Sequence, residues 1–94
     1  MGESGNRRVL VTGALGQIGM ELLDALIKKY GPENVTASDI REPSNLGEFP
    51  VRFSKLDVQN REQFEEIIRS NNINEVYHLA AILSAIILFF ETIT

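Results

Sequence analysis

The sequence predicts an α/β fold, a parallel sheet with helices on both faces. Three observations carry that reading. An apolar run, Val9-Leu10-Val11, breaks into Gly13, Gly16 and Gly19, spaced by three. An amphipathic helical pattern opens at once behind those glycines. Strand-like and helical segments then alternate along the chain, which is the pattern of a parallel sheet. Right-handed crossovers order the strands 3-2-1-4.

Each element has a local reason. Residues 8–12 read as a buried strand, because an apolar run without alternation suits a strand covered on both faces. Residues 17–30 follow as a helix with Ile18, Leu22, Ala25 and Leu26 on its apolar side. Lys28 and Lys29 suit the negative end of its dipole. Gly31-Pro32 stops it, glycine for a left-handed cap and proline because it cannot continue the helix. Residues 34–38 form the second strand, ending at Asp39. Residues 41–50 hold two prolines, Ser44, Asn45 and Gly47, and read as a loop.

Residues 51–56 set Val51 and Phe53 against Arg52 and Ser54, a third strand more exposed than the first. Asn60 opens a second helix, with Gln63 completing a capping box. Phe64, Ile67 and Ile68 form its buried face; Arg61, Glu62, Glu65, Glu66 and Arg69 form its solvated face. Asn71 and Asn72 end it, and residues 75–80 are the fourth strand.

The glycines carry the chemistry. Gly13 lets the chain turn sharply out of the strand, Gly16 lets backbone approach a phosphate, and Gly19 lets the helix pack close to the sheet. A helix start offers N–H groups and a positive dipole end, which suits a pyrophosphate. The pattern follows a strand, opens a helix and has an acid, Asp39, twenty residues past Gly19. Together these make a dinucleotide cradle rather than an empty tight turn. Asp39 is placed to accept from both ribose hydroxyls of adenosine, and its charge repels a 2′-phosphate, favouring NAD over NADP. Arg41 is either a stacking partner for adenine, a partial acceptor of that phosphate, or a surface loop cation. Asp57 and Val58 lie beside the adenine in this strand order, with simple turn chemistry as the rival reading for Asp57. His78 sits in an apolar strand with no carboxylate near it in sequence and reads as a structural histidine.

Composition bounds the rest. The chain has 94 residues, enough for one small domain and few for a complete dinucleotide enzyme. A hydrophobic fraction of 44% and a charged fraction of 23% are globular values. The net charge of −4 and the lack of a basic cluster beyond Arg7-Arg8 argue against nucleic acid as a partner. Without cysteine there is no disulfide or zinc-thiolate site, and nothing suggests another metal site. Residues 1–6 have no apolar core and make neither a secretory signal nor a convincing transit peptide. The expected compartment is the cytoplasm, with the mitochondrion left open. Residues 79–90 carry only Ser84 as a polar side chain. A membrane span needs roughly twenty apolar residues, so that run reads as strand four followed by a buried or partner-seeking segment. Exposed, Ile86 to Phe90 would be prone to aggregate.

These residues resemble a known family. Thr12-Gly13-x-x-Gly16-x-x-Gly19, Asp39, Asp57-Val58 and His78-Leu79-Ala80-Ala81 are similar to the extended short-chain dehydrogenases/reductases, the NAD-dependent epimerase/dehydratase family. Gly16-Gln17-Ile18-Gly19, Ser38-Asp39-Ile40-Arg41 and the stretch from His78 to Ala85 are most similar to its epimerase-like L-threonine 3-dehydrogenases. The resemblance implies a partial Rossmann fold that binds NAD. The backbone from Gly13 through Gly16 and Gln17 to Ile18 would hold the pyrophosphate. Asp39, Ile40 and Arg41 would meet the adenosine ribose, Asp57 and Val58 the adenine, and Leu79, Ala80 and Ala81 the nicotinamide side. The implied reaction oxidises L-threonine at its β-carbon to 2-amino-3-oxobutanoate with reduction of NAD, commonly in dimers.

The likeness runs from Val9 to Ala85 and stops there. Residues 1–85 are therefore expected to be the N-terminal part of a Rossmann domain, and residues 86–94 a divergent apolar tail, as an altered reading frame, alternative splicing or truncation would produce. Family catalysis uses a tyrosine with a lysine four residues on; here Tyr30 is followed by Asn34 and Tyr77 by Ala81. No catalytic residue is assigned, and the chain alone is expected to be inactive. The alternatives are a portion of a nucleotide-sugar epimerase or dehydratase, and a non-enzymatic dinucleotide-binding or dimerising module. A half-sheet buries little, so marginal stability or homo-oligomerisation is expected.

Overall fold

A computed structural model describes residues 7–80 of the chain. The expectations for residues 1–6, for Ala81 and the stretch to Ala85, and for the apolar tail lie outside the described residues.

Four strands and two helices alternate: β1 (Val9–Thr12), α1 (Gln17–Tyr30), β2 (Val35–Asp39), β3 (Arg52–Lys55), α2 (Arg61–Ser70) and β4 (Glu75–His78). Short 3-10 turns occupy Pro32–Asn34 and Leu46–Glu48. The strands form one sheet in the order β3-β2-β1-β4, and every pairing is parallel. This is the expected partial Rossmann arrangement. The register aligns Thr12 with Ser38 on one side and with His78 on the other. The carboxyl ends of β1, β2 and β4 therefore open at one edge, where ligands of such sheets bind.

The sheet has two apolar faces, each covered by one helix. On one face Val9, Val11, Val35, Ala37 and Val51 pack with Leu23 and Leu26 of α1. On the other, Leu10, Leu56 and Val76 pack with Ile67 of α2, flanked by Phe64 and Ile68. All residues of β1 and β2 are buried, whereas β3 exposes Arg52 and Lys55 and half-buries both Phe53 and Ser54; it is more exposed than β1, as expected, but without the expected alternation. Among the described residues no helix is long and apolar enough to cross a membrane.

Four details differ from the sequence reading. The buried stripe of α1 runs through Gly19, Leu23 and Leu26, while Ile18 and Ala25 face solvent. The stripe turns by one position because Gly19 is the point of closest approach. A Cβ there would stand 2.3 Å from the Gly13 carbonyl oxygen. That contact also places Gly19 against the glycine turn itself rather than against the strands. Gly31 has a positive φ of 92° but an extended ψ of 144°, so it redirects the chain into the 3-10 turn instead of forming a left-handed cap. Gly31 N–H still donates to the Ile27 carbonyl at 2.8 Å, and the Asn34 side chain adds a second capping bond, Nδ2 donating to the Tyr30 carbonyl at 2.8 Å. Finally, the strands are shorter than expected. Arg8, Asn34, Val51 and Leu56 lie just outside them, and β4 ends at His78 because Leu79 already turns back, its N–H donating to both Thr12 O and Tyr77 O.

The sheet's opposite end is tied by polar groups. Arg7 pairs with Glu75, whose Oε2 accepts the Tyr77 hydroxyl at 2.7 Å. Asn71 accepts from Arg52 through its side chain and from Arg8 through its carbonyl, joining α2 to β3 and to the start of β1.

Candidate functional site

The carboxyl edge of the sheet holds a cleft of about 670 Å³. It is lined by Thr12, Gly13 and Gly16 from the glycine turn, Asp39, Ile40 and Arg41 from the end of β2, Leu56, Asp57, Val58 and Gln59 after β3, and His78 and Ala80 after β4.

The turn is built by its glycines. Gly13 adopts φ +70°, and a Cβ there would come within 2.8 Å of the Ala80 backbone nitrogen. A side chain at this position would strain the turn and push β4 away at once. Gly16 differs: a Cβ would meet only the Gly13 carbonyl oxygen, at 3.6 Å. The space beside it is open and faces the cleft. Gly16 is also the N-cap of α1, which starts with no side-chain capping bond and no acid in its first turn. The first N–H groups of a helix have no partner within it, so the start of α1 presents bare donors and a positive dipole end.

Asp39 stands beside that turn. It is only 6% exposed. Its Oδ2 accepts from Leu15 N–H at 3.0 Å, and its Oδ1 accepts from the Arg41 N–H at 3.0 Å and from Arg41 Nε at 3.3 Å. Burial alone would push this carboxyl up. The backbone donors of Arg41 and Leu15, with the Arg41 guanidinium, outweigh burial and hold it below the usual carboxylate range. Asp39 therefore stays ionised at neutral pH. It ties the glycine turn to the β2 exit and keeps its remaining lone pairs for a ligand.

Across the cleft, Asp57 shows the turn chemistry that rivalled its ligand reading. Its Oδ1 accepts from Gln59 N–H at 3.0 Å, while its backbone N–H donates to Gln63 Oε1. It also lines the cleft, so one residue serves the turn and the wall. The capping box forms by half. Asn60 Oδ1 accepts from Gln63 N–H, but the Gln63 side chain reaches Asp57 instead of returning to Asn60.

The structure thus gathers Gly13, Gly16, Asp39, Ile40, Arg41, Asp57, Val58 and Ala80 around one space. Gln17 and Ile18 sit at the helix start with exposed side chains outside the cleft wall, which leaves open the backbone role expected of them. Leu79 packs against the α1-side core. Four wall residues were given no cofactor contact by the sequence reading: Thr12, Leu56, Gln59 and His78, although Thr12 and His78 stand in the motifs that carry the resemblance. His78 Nδ1 lies 2.9 Å from Thr12 Oγ1, which also accepts from Ala80 N–H at 3.3 Å. The imidazole packs 5.9 Å from the Phe64 ring, between centroids. The structural role expected of His78 holds, and it pins the β4 exit to β1. That the two side chains meet is a matter of strand register. Among the described residues no group of three or more His, Asp or Glu is placed to hold a metal.

Comparison with known proteins extends this picture. The profile of the NAD dependent epimerase/dehydratase family matches residues 9–93. An uncharacterized epimerase/dehydratase of Staphylococcus epidermidis is 44% identical over 82 residues, which cover 84% of this chain and 25% of that protein. A monomeric L-threonine 3-dehydrogenase from a metagenome superposes with a TM-score of 0.70 at 49% identity, over 76% of this chain and 22% of that one. A short-chain dehydrogenase of Leptospira borgpetersenii solved with bound NAD+ superposes with a TM-score of 0.59 at 26% identity, over 77% of this chain and 30% of that one. The chain spans about a quarter of the length of the curated relatives it matches.

Proposed function

The chain belongs to the NAD dependent epimerase/dehydratase family, and on that premise we propose that it is the NAD-binding portion of an oxidoreductase similar to L-threonine 3-dehydrogenase. The parent reaction takes L-threonine and NAD to 2-amino-3-oxobutanoate and NADH. The 94 residues hold the cofactor and do not turn substrate over, because they contain no tyrosine with a lysine four residues on.

One observation carries the cofactor assignment. The open side of Gly16, the uncapped start of α1 and the ionised Asp39 carboxylate border the same cleft. Donors and positive dipole suit a pyrophosphate. A buried carboxylate suits a ribose diol and disfavours a 2′-phosphate. The assigned residues are Gly13, Gly16 and the backbone of Gln17 and Ile18 for the pyrophosphate, Asp39, Ile40 and Arg41 for the ribose, Asp57 and Val58 for the adenine, and Ala80 for the nicotinamide side. NAD, once bound, supplies the hydride acceptor; the chain's own part is to hold and orient it. The threonine assignment draws on the 49% identity to a threonine dehydrogenase over the aligned portion. A parent that acts as an epimerase or dehydratase is the second reading, favoured by the name of the Staphylococcus relative.

Titrating NADH against the chain and following its fluorescence tests the assignment. Saturable binding is expected, and Asp39→Ala should weaken it by about 1–3 kcal/mol through loss of a charge-assisted hydrogen bond. No binding at millimolar cofactor contradicts the reading. Threonine-dependent NADH formation by the chain alone contradicts the claim that it does not turn over.

A further inference from the structure

His78 is the one histidine of the chain, and it stands in the cleft wall at the exit of β4. Imidazole is the side chain whose charge ordinarily changes between about pH 5 and 8. The neighbours of His78 pass that change on. Nδ1 lies 2.9 Å from Thr12 Oγ1, which also accepts from Ala80 N–H at 3.3 Å. Thr12 and Ala80 line the same cleft. The Thr12 hydroxyl is therefore a hub between the end of β1, the imidazole and the backbone after β4.

A hydroxyl has one hydrogen and two lone pairs. Ala80 N–H holds one lone pair of Thr12. While Nδ1 carries no hydrogen, the Thr12 O–H donates to it. Once the ring is protonated, Nδ1 is a donor and takes the second lone pair, so the hydroxyl hydrogen has to turn elsewhere. Thr12 is a wall residue, and a ligand in the cleft can supply the acceptor. The same step places a cation in the wall of a cleft that already meets the uncapped start of α1.

The groups around the ring allow this. β1 presents Thr12 and α2 presents the uncharged Phe64 ring. Along the cleft, Asp39 is bonded to Leu15 and Arg41, and Asp57 to Gln59. The two carboxylates favour the charged imidazole and Arg41 opposes it. Glu75, on β4 itself, is engaged by Arg7 and Tyr77.

We propose that His78 is a proton-linked positioning residue of the cleft. Its protonation frees the Thr12 hydroxyl hydrogen, adds a positive charge to the wall, and tightens the hold on an anionic dinucleotide as pH falls. The proposal rests on the cofactor reading given above, and its test separates the two.

The experiment is an NMR pH titration of the full chain, free and saturated with NAD. A single histidine gives a single imidazole signal, and long-range proton–nitrogen spectra report its tautomer. The neutral ring should carry its hydrogen on Nε2. Its midpoint should rise by about one unit on saturation, which equals about tenfold tighter binding of NAD by the protonated form. Thr12→Ser keeps the hydroxyl and should keep the rise, whereas Thr12→Val should shrink it. A neutral ring with its hydrogen on Nδ1 overturns the proposal, as does an undiminished rise in folded Thr12→Val. A midpoint that stays or falls while the amides of residues 13–19 respond to NAD is the result of a purely structural histidine; the proposal then falls and the cofactor reading stands. If no amide responds at millimolar NAD, the cofactor reading falls and takes the proposal with it. The native chain decides by itself should Thr12→Val fail to fold.

Discussion

The chain builds one supersecondary unit twice, and the two copies treat their helix starts in opposite ways. In the first, β1 leads through the glycine turn into α1, whose N-cap is Gly16 and whose first turn has neither a capping side chain nor an acid. In the second, β3 leads into α2, whose N-cap Asn60 accepts from Gln63 N–H and whose first turn contains Glu62. The residues before α2 are closed as well, with Asp57 bonded to Gln59 and to Gln63. One unit satisfies orphan donors with its own side chains; the other leaves them without a side-chain cap. The strands differ in the same sense. β1 and β2 are buried throughout, whereas β3 and β4 are partly exposed.

This contrast can be broken at its steric centre first. Gly19→Ala drives a Cβ to within 2.3 Å of the Gly13 carbonyl oxygen and 2.8 Å of the Ala14 backbone. Neither neighbour is a flexible side chain, so the helix must move. Urea unfolding should show a loss of about 2–3 kcal/mol, a large share of a small domain's stability.

Exchanging the cap chemistry sharpens the comparison further. Asn60→Ala should cost about 1 kcal/mol in the same unfolding measurement and leave NADH affinity unchanged. Gly16→Asp should do the reverse. The open space accepts the side chain, the extended backbone of Gly16 suits an N-cap, and stability should hold or rise by a few tenths of about 1 kcal/mol. A carboxylate at that spot takes the place of the ligand's negative charge, so NADH affinity should fall about tenfold or more. Equal effects of the two substitutions on binding would erase the distinction between the units.

The smallest expected effect lies at the end of the sheet away from the cleft. The Tyr77 hydroxyl donates to Glu75, and that bond, with burial, pushes its pKa up to about 12 from 10.0. A raised pKa contributes stability that is fully present below the unfolded value and is lost as pH rises through the folded one. Chemical stability should therefore fall between pH 10.0 and about 12, and Tyr77→Phe should remove that dependence at a cost of about 1 kcal/mol at neutral pH. The carboxyls behave oppositely. Glu75, held down chiefly by the Tyr77 hydroxyl, and Asp39, held down by its backbone donors against burial, contribute stability above their unfolded values. That contribution is lost as pH falls through the folded values, so acid unfolding should set in below about pH 4.

Much of this was legible in the residues. The unbroken apolar run, the glycine spacing, Asn60 with Gln63 and the acid at residue 39 are local signals, and they mark β1, the turn into α1, the start of α2 and the end of β2, although Gln63 completes only half of the capping box. The limits of α1 were legible too, at Gln17 and Tyr30, because a glycine precedes it and Gly31-Pro32 ends it. The face that α1 buries was not. Hydrophobicity points to Ile18 and Ala25, but the contact is centred on Gly19, a residue with no apolar side chain to announce it. Thr12 and His78 stand in the motifs of the family resemblance, but their contact follows only from strand register, sixty-six residues apart. Leu79 was assigned to the nicotinamide side from the family resemblance, within a strand expected to reach residue 80; the strand ends at His78, and the Leu79 side chain packs against the α1-side core.

The most direct test of the central claim is an amide NMR titration of the 94-residue chain with NAD. Shifts are expected at residues 13–19, 39–41, 57–59 and 78–80, with the largest at the start of α1. The start of α2 from residue 61 onward and the 3-10 turn at Pro32–Asn34 should stay still. Shifts centred on those silent segments, or none at millimolar NAD, would contradict the account.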